Sequence, residues 1–161
     1  MTTQDTVHEL VAQLEYPMFI VTVAAEGDRA GCLVGFATQC SIEPPRFLVC
    51  LSRENRTFRV SLHAEVIVVH LVPEQAADLA ELFGGCTGDE VDKFARCEWS
   101  PGPGGTPVLE RCGNWFAGRI LERVPCGDHW AVLLEPFAGA SDTTRPFTFH
   151  RAQRITPGHP A

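Results

Sequence analysis

A mainly β fold, a barrel or sandwich with short peripheral helices, is what this sequence predicts, and three observations carry the prediction. Runs rich in β-branched and aromatic residues recur along the 161 residues. Tight-turn signals separate them at Glu26-Gly27-Asp28, Pro44-Pro45 and Cys126-Gly127-Asp128. Few stretches carry helical spacing, and both the strand–helix alternation and the GxGxxG fingerprint of a dinucleotide fold are missing.

Thr6 followed by Glu9 reads as a capping box, with Val7, Leu10, Val11 and Leu14 at helical spacing. A short amphipathic helix is therefore expected to open the chain and stop before Pro17. MFIVTVAAEGDRAGCLVGFATQCSI reads as two strands about the Glu26-Gly27-Asp28 turn. Pro44-Pro45 ends the second, and RFLVCLS makes a third. Asn55 then suits the N-cap of a short helix. VIVVHLV is apolar on both faces, so both sides should be covered. Glu74 to Phe83 forms a further helix, with Ala76, Leu79, Ala80 and Phe83 inward and Glu74, Asp78 and Glu81 in water. Residues 84–107 are loop-rich, with one helical turn expected at GDEVDKF. Strands are expected at 113–123, 129–135 and 146–150.

The length fits a single domain over 1–161 with its core at about 16–151. Thirteen Lys+Arg against twenty Asp+Glu give a net charge of −7, which argues against nucleic acid or an anionic membrane as partner. The longest apolar runs fall far short of the ~20 residues of a membrane span. MTTQDTVHEL lacks the basic start and apolar core of a signal peptide. Seven cysteines, an odd number without a CxxC pair, read as reduced thiols, so a cytoplasmic setting is expected. No Cys/His spacing suits zinc, and no metal is expected.

The stretch most able to carry chemistry is RENRTFRV, where Arg53, Arg56 and Arg59 crowd around Asn55. Arginines beside unpaired backbone N–H groups suit a phosphate. The plainer alternative is a capped surface helix with solvated arginines. Gly31 and Gly35 remove side chains where a flat ligand or a crossing strand comes close. His129 follows a Gly-Asp turn, where a histidine can be a donor or a charged partner, while His70 lies within VIVVHLV and reads as a core histidine. No GxSxG, HExxH or P-loop is present.

Taken in order, YPMFIVTV, GCLVGFATQCSIEPPRFLVCLSRENRT, LAELF, TPVLERCGNWFAGRI, GDHWAVLLE and FTFHR resemble the flavin reductase-like, FMN-binding split-barrel family. The resemblance implies a Greek-key split β-barrel with peripheral short helices and a homodimer with flavin near the subunit interface. It further implies NADH- or NADPH-dependent two-electron reduction of FMN or FAD, in some relatives supplying reduced flavin to a partner monooxygenase. Carried over by position, Val34, Gly35, Phe36 and Ala37 with Cys40, Ser41 and Ile42 would line the isoalloxazine and ribityl chain. Ser52, Arg53, Asn55, Arg56 and Thr57 would hold the phosphate. His129, His150 and Arg151 would approach the flavin or the nicotinamide, with His129 the catalytic candidate. Relatives often carry Thr, Ser or Asn where this chain has Leu33, Gly35 and Phe36, so backbone contacts to the ring would replace hydroxyl ones. Two alternatives stay open: a flavin-binding electron-transfer protein without a nicotinamide site, and a flavin-free dimer that binds another small ligand.

Overall fold

Strand β1 (Phe19–Ala25) turns tightly into β2 (Asp28–Val34) in a computed structural model whose described residues are 1–159. The turn places Glu26 and Gly27 at φ 53° and 83°. A two-residue turn with both φ positive matches the right-handed twist of the strands it joins, at the cost of holding Glu26 in the left-handed region. Strands β3 (Ala37–Ser41), β4 (Arg46–Ser52), β5 (Val66–Leu71), β8 (Trp115–Cys126) and β9 (His129–Ala140) complete an antiparallel sheet of order β2-β1-β5-β8-β9-β4-β3. β6 (Trp99–Pro101) and β7 (Pro107–Leu109) form a separate two-stranded ribbon.

Helix α2 (Arg56–Ser61) starts where expected: Asn55 Oδ1 accepts the Thr57 N–H at 2.9 Å. Helix α3 (Ala77–Gly85) buries Leu79, Ala80 and Phe83, as its spacing predicts. The sheet separates two apolar cores. Val21, Val23, Val49, Leu51, Ile67, Val69, Val132 and Leu134 fill its concave side. Ile20, Val72, Leu79, Phe83 and Leu109 pack beneath α3 on the other. β5 is thus covered on both faces by its own chain. His70 sits between the layers, fully buried, with Nδ1–H donating to Ile20 O (2.9 Å) and Nε2 accepting from Leu109 N–H (3.0 Å). Both ring nitrogens are satisfied only by the neutral form, and burial depresses its pKa to about 4.

Several expectations are corrected. Helix α1 (Thr3–Val11) is capped by Thr2, one turn before Thr6: Thr2 Oγ1 accepts the Asp5 N–H, and the Asp5 carboxylate accepts the Thr2 N–H at 2.8 Å. Thr2 and Asp5 have the same spacing as Thr6 and Glu9, and the earlier cap lets more residues join the helix. None of its residues is buried, so its apolar stripe does not reach the core. The expected second strand is two, broken at Gly35-Phe36 because β2 pairs with β1 while β3 pairs with β4 on the opposite edge. The ribbon β6–β7 starts within the stretch read as loop and runs past its end to Leu109; Gly104 and Gly105, at φ 67° and 74°, make its turn. β9 runs on to Ala140 because β8 pairs with it past the bulges at Ala117/Gly118 and Ile120/Glu122. The expected last strand is two isolated bridges, Pro73–Pro146 and Pro17–Thr148, followed by the helical turn α4 (Phe149–Ala152). Among the described residues no helix is long and apolar enough to cross a membrane.

Candidate functional site

β2 lies at one edge of the sheet and β4 next to the other, and no ladder hydrogen bonds join them. A cavity of about 200 Å³ opens at this split. Gly35 and Phe36 form its rim because the chain crosses there between the two edges, pinned by Cys50 N–H donating to Phe36 O (2.8 Å). A Cβ at Gly35 would stand 3.0 Å from Tyr16 Cε2 and 3.3 Å from Met18 Sδ, so the space before those two residues exists because residue 35 is glycine. Tyr16 stacks on Phe149 at 4.6 Å between centroids, and Phe36 meets the His129 ring at 5.2 Å. These rings give the cavity flat apolar walls.

Polar groups gather at one end. Ser52 closes β4, Asn55 caps α2, and His129 opens β9 in register with Ser52. The His129 Nδ1 lies 2.6 Å from Asp128 Oδ1, and this bond holds the Asp128 carboxyl below the usual carboxylate range. An Nδ1–H engaged with Asp128 leaves Nε2 as the ring atom available to bind a ligand. Beneath the polar end, the Cys32 thiol is buried beside Thr57 and Asn55, and burial raises its pKa. Thr57 Oγ1 is buried without a hydrogen-bond partner.

The structure therefore brings Val34, Gly35, Phe36, Ser52, Asn55 and His129 to one cavity. Ala37, Cys40 and Ser41 lie beyond its rim on β3, and Ile42 follows in the turn, 84% exposed. Arg53 is exposed, close enough to Asp128 to lower its pKa, and Thr57 lies under the cavity. Arg56 turns the other way, 3.3 Å from Asp28 and 3.8 Å from Asp89, and Arg59 is bidentate to Asp89. His150 clamps α1: its Nδ1 lies 2.8 Å from Glu15 Oε2 and its Nε2 3.3 Å from Ala12 O. Arg151 donates to Glu74 O at 2.7 Å. A larger hollow of about 310 Å³ beside Arg56 is lined by Asp28, Asp89, Glu90 and Asp92, and Arg56 is already paired to two of these carboxylates.

Sequence reasoning missed Tyr16, Met18, Cys50, Phe149 and His159, all of which line the cavity. Tyr16 and Phe149 belong to segments quoted for the family resemblance, but nothing local marked them as partners. Backbone bonds from Phe149 N–H to Tyr16 O and from Met18 N–H to Phe147 O bring these distant segments together. Among the described residues no cluster of His, Cys, Asp or Glu is placed to hold a metal ion. The flat walls, the cradle at Gly35 and the hydroxyl and amide donors at one end fit a planar ring carrying a polar chain.

Comparison with known proteins shows the family. The family described as flavin reductase like domain matches residues 11–156. FMN reductase (NADH) RutF of Bradyrhizobium diazoefficiens is 32% identical over 68% of this chain and 61% of its own length. The reductase component of the FADH(2)-dependent resorcinol hydroxylase of Rhizobium sp. is 31% identical over 83% of this chain and 76% of its own. Against two other curated relatives the chain spans about half of their length, 44% and 48%. The crystal structure of a flavin reductase domain protein from Arthrobacter sp. superposes with a TM-score of 0.83 at 22% identity, covering 98% of this chain and 96% of that one.

Proposed function

The chain belongs to the flavin reductase-like family, and on that premise we propose that it binds FMN or FAD at the split and reduces it with NADH or NADPH. The observation that carries this reading is the convergence of β2, β4, α2 and β9 on one cavity with aromatic walls and a polar end. A bound flavin supplies the two-electron chemistry, accepting hydride from a nicotinamide. The chain's own residues supply placement and charge. Phe36 and Tyr16 offer faces for a planar ring, and Gly35 leaves the space for it. Ser52 Oγ and Asn55 Nδ2 are donors for a phosphate, with the exposed Arg53 guanidinium as the nearby cation. Arg56, held by Asp28 and Asp89, supports this end through α2 rather than by direct contact. His129, oriented by Asp128, presents Nε2 to the cavity and, when protonated, donates there to developing negative charge.

The same reading takes the protein as one domain over 1–161, cytoplasmic, acting as a homodimer and handing reduced flavin to a monooxygenase. The resorcinol hydroxylase relative, a reductase component, supports the last of these. The test is spectroscopic. FMN titrated into the protein should perturb its visible band, and anaerobic NADH or NADPH should then bleach it faster than free flavin. Bound flavin indifferent to both nucleotides would select an electron-transfer protein. Failure to take up FMN or FAD would select a flavin-free ligand binder.

A further inference from the structure

The family match ends at residue 156, yet the chain beyond it returns to the cavity. Ile155 packs into the core under α3, and Gly158 N–H donates to Gly84 O (3.3 Å). Gly158 then lies against the backbone of residues 86 and 87 so closely that a Cβ would stand 2.6 Å from the Cys86 carbonyl carbon and 2.8 Å from Thr87 N. Only glycine seats the tail this low, and the seat delivers the next residue, His159, to the cavity wall.

There His159 Nε2 meets Asn55 Nδ2 at 2.9 Å. Asn55 Oδ1 is committed to the Thr57 N–H, so Nδ2 is the donor and the imidazole nitrogen accepts. The tail therefore holds, with an acceptor, the same amide donor that the flavin reading assigns to a phosphate oxygen. With the tail in place the cavity measures about 200 Å³. Small-molecule sites begin at roughly 300 Å³.

We propose that the C-terminal tail is a strap whose His159 occupies the phosphate end of the cavity, so that a phosphorylated flavin binds by displacing it. This rests on the reading of Asn55 as a phosphate donor. The strap lowers affinity for FMN while leaving riboflavin, which has no phosphate, unaffected. It is thus a determinant of selectivity that lies outside the matched residues 11–156.

The test compares FMN and riboflavin titrations of the wild-type protein with those of H159A and G158A. H159A removes the competing acceptor. G158A lifts the strap from its seat by the added Cβ. Each should tighten FMN about three- to tenfold, the worth of one neutral hydrogen bond, and leave riboflavin unchanged. Unchanged or weaker FMN binding in H159A, with the wild type still preferring FMN over riboflavin, overturns the strap alone. A G158A protein that behaves as wild type while H159A tightens overturns the seat at residues 86–87. A wild type that does not distinguish FMN from riboflavin, or binds neither, overturns the phosphate reading itself and the strap with it.

Discussion

At the scale of single residues, two histidines with the same side chain do opposite work because of where they are held. His129 is part-exposed at a strand end, and its partner is the Asp128 carboxylate, 2.6 Å from Nδ1. H129A should fold and still bind flavin, while hydride transfer slows or KM rises ten- to hundredfold, about 1.4–2.8 kcal/mol, measured by stopped-flow reduction. Unchanged kinetics would return His129 to a turn role. His70 lies in the core, donating and accepting through a neutral ring. Its folded pKa of about 4 lies below the unfolded value near 6.5, so the unfolded chain takes up the proton first as pH falls. Its contribution is intact above about pH 6.5, declines as pH drops toward 4, and levels off below, a loss on the order of 3 kcal/mol. Denaturant unfolding across this window should show the decline. H70Q, whose amide offers the same donor and acceptor, should flatten it. Position 70 was legible as a core residue from VIVVHLV alone, since one histidine in an apolar run is buried with its neighbours. His129 was legible as a turn-flanking histidine, but its distance to Phe36 depends on the crossing between β2 and β3 and was not.

At the scale of elements, periodicity identified what is locally determined and failed where pairing decides. α3 was readable because Leu79, Ala80 and Phe83 share one face, and β5 because every residue but His70 is apolar. The break at Gly35-Phe36 was not readable, since ATQCS is as extended as the strand before it and only its partner differs. α1 shows the converse: Val7, Leu10, Val11 and Leu14 have core spacing yet are 51%, 59%, 42% and 49% exposed. Patterning records that a face is to be covered and not which body covers it. Packing between β2 and α3 gives a sharper test. A Cβ at Gly31 would stand 2.7 Å from Phe83 Cε1 and 3.1 Å from Val21 O, with Lys93 Nζ also donating to the Gly31 carbonyl at 2.9 Å. Neither the strand backbone nor the clamped helix end yields easily, so G31A should cost about 1–3 kcal/mol in denaturant unfolding. A variant as stable as wild type would show that Phe83 repacks freely.

At the scale of the whole molecule, the chain covers both faces of β5 itself, so the case for a homodimer moves from that strand to the exposed stripe of α1 and to Leu121, Val124 and Phe137 on the β8–β9 hairpin. Sedimentation should give a dimer at micromolar concentration, weakened by L10E; a monomer with flavin bound would contradict it. The family was legible from the order of its segments, while the cavity was not, because its walls come from residues 16 to 159 and meet only in three dimensions. That convergence is the central claim, and the most direct measurement of it is an FMN titration of wild type beside G35V, both checked for fold by circular dichroism. The added side chain fills the cradle before Tyr16 and Met18. Saturable FMN binding in the wild type, weakened at least tenfold in a folded G35V, is the predicted result. Equal affinity in the two proteins would place the flavin elsewhere and contradict the assignment of this cavity.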